Sequence, residues 1–146
     1  MFRDFLFLAT VSGAFCFMAC SPPEEFPVRY KGEELHFGQG GGFSGALSYF
    51  AILDDGRLFQ RAPRDSTFAL VDTWEKPFVR QMFANYKMLQ LDTVKLYEPG
   101  DLYYFIEFRS GGTASKPITW GKPGVVPDKN IVTYYNLLYK STKSKS

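Results

Sequence analysis

Histidine and cysteine are nearly missing from this chain, and their scarcity removes most metal and nucleophile chemistry at the outset. One histidine, His36, and two cysteines, Cys16 and Cys20, are all that 146 residues contain. One imidazole with scattered carboxylates is a poor donor set for a transition metal, so neither a metal nor a cofactor is expected. Charge of one sign is lacking as well. Seventeen Lys and Arg face fifteen Asp and Glu, and the signs alternate along the chain, which leaves no basic stripe for a nucleic acid. Long apolar runs are also lacking. Phe5 to Ala19 falls short of the about 20 residues that a membrane span requires, and Pro22 and Pro23 close it off. The length suits one domain with its own core and is short for two.

The first twenty residues, MFRDFLFLATVSGAFCFMAC, join Arg3 to that apolar run and read as a secretion signal. An ordinary signal peptidase site takes small residues at the first and third positions before the cut, and Phe17 is bulky. Phe17-Met18-Ala19-Cys20 instead resembles the bacterial lipobox, although Leu usually stands at the position of Phe17 and a small residue at that of Met18. The resemblance implies that residues 1–19 are removed and that Cys20 is acylated on sulfur and becomes the amino terminus. Cys16, which follows Phe15, fits the pattern less well. Acylation of Cys20 would leave no thiol and no disulfide in the mature chain. Glu24 and Glu25 resemble an acidic export tag of outer-membrane lipoproteins. The expectation is thus a lipid-anchored protein of the bacterial cell envelope, on the outer membrane.

Residues 20–27, with Pro22, Pro23 and Pro27, read as the acylated cysteine and an extended tether. The domain is expected over 28–140, with a polar tail at 141–146. Val28–Tyr30 and Leu35–Phe37 read as short strands, and ALSYFAIL as a longer one that turns at Asp54-Asp55-Gly56 into RLFQ. Phe78, Met82, Tyr86 and Leu89, with Val79 and Phe83, form a helical stripe. Asp72 or Thr73 is its expected cap, and Pro77 is tolerable in the first turn. DLYYFIEFR alternates, placing Leu102, Tyr104, Ile106 and Phe108 on one face and Tyr103, Phe105, Glu107 and Arg109 on the other. Ser110-Gly111-Gly112 turns it into KPITW, and Asp128 caps a helix carrying Ile131, Tyr134, Tyr135 and Leu138. The expectation is an α+β fold, an antiparallel sheet of about five strands with two helices packed on it.

Gly40, Gly42 and Gly45 spell G-x-G-x-x-G. A dinucleotide fingerprint opens a helix, whose N-terminus holds the pyrophosphate, whereas this one opens a strand. The glycines are better read as a tight connection with positive φ, as places where a backbone or an aromatic ring comes close, or as a loop bordering a site beside Phe43. Ser44 lacks the spacing of a nucleophile elbow. Asp54 and Asp55 are explained by their turn, and Asp92, Glu98 and Asp101 lack the regular spacing of a calcium loop.

Aromatics are the one excess, 18% of residues; a hydrophobic core accounts for many of them, and a helix covering the second face of the 102–109 strand would account for others. Aromatic faces flanked by charge stack on sugars or receive protein partners. Tyr103, Phe105 and Trp120, with Phe43 beside them, are the expected binding face. The domain layout resembles small bacterial lipoproteins of unknown function. The leading expectation is a non-catalytic binding module with an envelope protein or glycan as partner. The alternative is a small envelope hydrolase using Ser44 or a carboxylate with His36.

Overall fold

The computed structural model describes residues 24–143; the expectations for Cys16, Cys20 and the signal fall outside that range. Among the described residues, seven strands form one antiparallel sheet on which two helices pack, an α+β arrangement. In chain order these are β1 (Glu33–Gly41), β2 (Ala46–Leu53), β3 (Arg57–Arg61), β4 (Phe68–Thr73), α1 (Lys76–Met88), β5 (Leu102–Ser110), β6 (Thr113–Ala114), β7 (Ile118–Trp120) and α2 (Lys129–Ser141). Across the sheet the order is β4, β3, β2, β1, β5, and the far edge of β5 pairs with both β7 and β6.

Alternation divides the strand residues between two faces. Leu35, Phe37, Phe50, Ile52, Leu58, Ile106, Ile118 and Trp120 share a core with Val79, Met82, Phe83 and Tyr86 of α1 and Ile131, Tyr134, Tyr135 and Leu138 of α2. Each large apolar side chain buried there contributes about 1.5–3 kcal/mol relative to exposure. The Tyr134 hydroxyl ties the helices together by donating to the Met82 carbonyl at 2.8 Å.

Both helices therefore follow their stripes, and Asp128 caps α2 by accepting from the Asn130 amide at 2.7 Å. Three details differ from expectation. The sheet has seven strands instead of about five, because residues 68–73 form an edge strand whose alternate exposure gives a weak apolar pattern. Asp72 and Thr73 belong to that strand, and the cap position of α1 falls to Glu75, which makes no side-chain cap bond. Val28 and Arg29 form a turn instead of a strand, and the Tyr30 hydroxyl after it donates to Asp54.

The segment before that turn is held to the sheet at several points. Glu25 bridges to Ala69 at the β4 edge. Glu24 pairs with Arg57 at 2.5 Å, and Arg57 also grips Asp55 at 2.7 Å. Burial alone would raise the Asp55 carboxyl, but hydrogen bonds from Arg57 outweigh it and hold it below the usual range.

Candidate functional site

Among the described residues the second face of the sheet carries no helix, and its character is set by β1. There β1 presents Glu34, His36, Gly38 and Gly40, so one half of the strand is polar and the other half has no side chains. Each of these residues sits between partners from β2 and β5. The rows read Leu53–Glu34–Arg109, Ala51–His36–Glu107, Tyr49–Gly38–Phe105 and Leu47–Gly40–Tyr103.

In the polar half, His36 is fully buried and Glu34 is 4% exposed. Glu34 Oε2 lies 2.6 Å from His36 Nε2, and the Tyr49 hydroxyl lies 3.0 Å from Nδ1. One tautomer satisfies all three groups: Nε2–H donates to Glu34 while Nδ1 accepts from Tyr49. Burial first, and then the Glu107 charge, push the Tyr49 hydroxyl up to about 12, so it keeps its proton for this bond. Phe26 covers this half, meeting His36 and Phe59 edge-on and stacking on Phe68 with ring centroids 4.7 Å apart.

In the glycine half, side chains from the neighbouring strands lean over the empty positions. The rings of Tyr49 and Phe105 meet with centroids 4.9 Å apart. A Cβ on Gly40 would stand 2.6 Å from the Tyr103 hydroxyl oxygen and 3.0 Å from Leu47 Cδ1, so the phenol end of Tyr103 lies over that glycine. A Cβ on Gly38 would stand 1.9 Å from the Ser48 carbonyl oxygen. Close approach of ring and backbone therefore accounts for these two glycines, both of which lie inside β1.

Above them is an open groove of about 400 Å³. Its floor is Tyr103, Phe105 and Glu107, one wall is Leu47, Tyr49 and Arg61, and Tyr97, Pro99, Pro117 and Thr119 border the other side. Tyr97 reaches the rim because residues 96–98 extend the sheet beyond β7: Thr119 N–H donates to the Leu96 carbonyl at 2.8 Å and Glu98 N–H to that of Thr119 at 2.9 Å. The Arg61 guanidinium lies 5.8 Å from the Tyr49 ring centroid and donates to Ser66 Oγ at 3.0 Å. Glu107 pairs with Arg109.

Of the residues singled out in the sequence, Tyr103 and Phe105 stand together in the groove floor. Trp120 does not join them. It lies on the opposite face, 6% exposed, stacked on Tyr104 at 5.7 Å and edge-on to Tyr135. Phe43 is fully exposed at the tip of the β1–β2 turn and does not line the groove. Ser44 shares that exposed turn and accepts from the Ala46 amide at 3.4 Å. His36 precedes the end of β1 by five residues, about 17 Å at 3.3 Å per residue, so the fold does not bring Ser44 to His36. Glu98 is engaged by Lys122 at 2.9 Å, and among the described residues no three Asp, Glu, His or Cys side chains converge.

Sequence reasoning missed Tyr49, Arg61 and Tyr97. Alternation within ALSYFAIL sets Leu47, Tyr49, Ala51 and Leu53 on one face, and that signal was available. Tyr97 carries no such signal, because a parallel bridge to Thr119 brings it in. No protein-family model, curated protein or solved structure matches this chain.

Proposed function

We propose that this chain is a lipid-anchored protein of the bacterial cell envelope, held to the outer membrane through Cys20, whose domain is a non-catalytic binding module. The observation that carries the binding role is the open groove floored by Tyr103, Phe105 and Glu107, on the face that carries no helix among the described residues. There Tyr103 and the wall residues Leu47 and Tyr49 stand half-exposed around Phe105 instead of being covered by a helix. Burying exposed aromatic rings is a principal source of binding energy at protein and ligand interfaces. The lipobox-like Phe17-Met18-Ala19-Cys20 supports the anchor. Glu24 lies four positions after Cys20, at most about 14 Å of extended chain, so acylation would keep the domain close to its membrane.

Anchor and groove are tested separately. In a bacterial host the mature protein should begin at Cys20 with added acyl mass and partition into membranes, and Cys20→Ser should abolish both. Intact mass and fractionation read the result, and an unprocessed wild-type chain removes the anchor. For the groove, a benzophenone amino acid replacing Tyr103 should form a discrete adduct in intact envelopes, whereas the same group replacing exposed Met88 on the helix layer should not. Equal labelling at both positions refutes a docking face.

A further inference from the structure

We propose that the groove binds an acidic saccharide, its sugar rings lying on Tyr103 and the neighbouring aromatics and its carboxylate meeting Arg61; this rests on the docking face proposed above. The first argument is charge. Among the described residues, Arg61 takes part in no salt bridge, while the one acid in the groove, Glu107, is paired with Arg109. The neighbouring Asp65 carboxylate is engaged chiefly by the amide and hydroxyl of Thr67 and feels the Arg61 charge only more weakly, without an ion-pair contact. Arg61 is also steadied, by Ser66 on one side and the Tyr49 ring on the other. A positioned guanidinium with open donors beside an apolar floor is complementary to a carboxylate, which it can grip with two parallel N–H bonds.

The second argument is the surface itself. The phenol end of Tyr103 lies over Gly40, and its half-buried ring lines the groove. The C–H face of a pyranose packs on such a ring, and the hydroxyls of Tyr49, Tyr97 and Thr119 at the walls can exchange hydrogen bonds with a polyol. A volume of about 400 Å³ lies within the roughly 300–1,000 Å³ of small-ligand sites.

The third argument sets the saccharide above an extended peptide. A peptide that adds to a sheet needs an unpaired strand edge. The floor strand β5 pairs with β1 on one side and with β7 and β6 on the other. Among the described residues the groove floor therefore offers side chains and no free strand edge, which suits a ligand that brings its own hydroxyls and has no peptide groups to satisfy.

The full chain in detergent micelles is applied to an array of oligosaccharides bearing uronate, sialate or lactyl carboxylates beside their neutral counterparts. Calorimetry on the best acidic ligand follows, with and without methyl esterification. Acidic members should be retained over neutral ones, and esterification or Arg61→Gln should each weaken binding at least tenfold. Tyr103→Ala should abolish it, Lys140→Gln on α2 should leave it unchanged, and urea midpoints should show every variant folded. Retention of neutral and acidic sugars alike, or no effect of Arg61→Gln, overturns the proposal. Binding of poly-glutamate but of no saccharide, lost in Tyr103→Ala, overturns the saccharide and leaves the docking face standing. Failure of all ligands together with absence of the Tyr103 adduct removes both.

Discussion

Replacing His36 by Leu tests whether the buried Glu34–His36 pair organises the polar half of the second face. The side chains are 1% and 6% exposed and meet at 2.6 Å, so His36→Leu strands a buried carboxylate and also leaves the Tyr49 hydroxyl without its acceptor. Removing one partner of a buried pair costs about 3–5 kcal/mol. With a urea slope of about 2 kcal/mol per M, the midpoint falls by roughly 2 M. Glu34→Leu should cost less, about 1–3 kcal/mol, because the imidazole it leaves behind is more easily accommodated without charge than a carboxylate. The double variant carries the argument. With both polar groups gone and apolar volume in their place, it should lie within about 1 kcal/mol of the wild type, far above the sum of the singles. Equilibrium unfolding followed by the fluorescence of Trp74 and Trp120, both buried, measures all four proteins. A His36→Leu loss under about 1 kcal/mol, or a double variant at the sum of the singles, would refute the idea that the pair acts as a unit.

Two tyrosines on α2 should respond in opposite directions. Tyr134→Phe removes the buried bond to the Met82 carbonyl and should cost about 1–3 kcal/mol, whereas Tyr135→Phe removes a buried hydroxyl with no hydrogen-bond partner among the described residues and should be neutral or stabilising in the same unfolding assay. Gly38→Ala meets the Ser48 backbone and should cost about 2–3 kcal/mol; Gly40→Ala meets the Tyr103 and Leu47 side chains first, so its unfolding free energy should change by about 1 kcal/mol or less while groove affinity falls. The Tyr49 hydroxyl, raised to about 12 by burial and by Glu107, ionises near 10 when unfolded. Its contribution is complete below pH 10 and is lost as pH rises through about 12, and Tyr49→Phe should flatten that alkaline loss when tyrosinate absorbance and unfolding are followed together.

What the sequence revealed follows the range of each interaction. The two helices were legible because their stripes depend on residues three and four apart, and β5 because alternation is local. The same alternation put Tyr103 and Phe105 on one face correctly. Trp120 went to the wrong side of the sheet for a non-local reason. Its face depends on whether it stands opposite Tyr103 or Tyr104, and a one-residue change of register exchanges the faces. The observed partner is Tyr104, which puts Trp120 under α2. Arg61 and Tyr97 were invisible for a related reason, since one stands on β3, three strands along the sheet from the floor strand β5, and the other arrives through an isolated bridge.

The glycines of β1 are where fold and site separate. A strand interior loses roughly 0.5–1 kcal/mol for each glycine relative to alanine, so two on one face of a central strand need a reason. At Gly38 the reason is structural, because the Ser48 carbonyl leaves no room for a Cβ. At Gly40 the backbone raises no such objection, and what a methyl group would displace is Tyr103 and Leu47. The core on the helix side makes no use of either side chain. A methyl group at Gly40 would therefore disturb the groove floor while leaving the helix-side core intact, which ties this glycine to the site on which the proposed binding role rests.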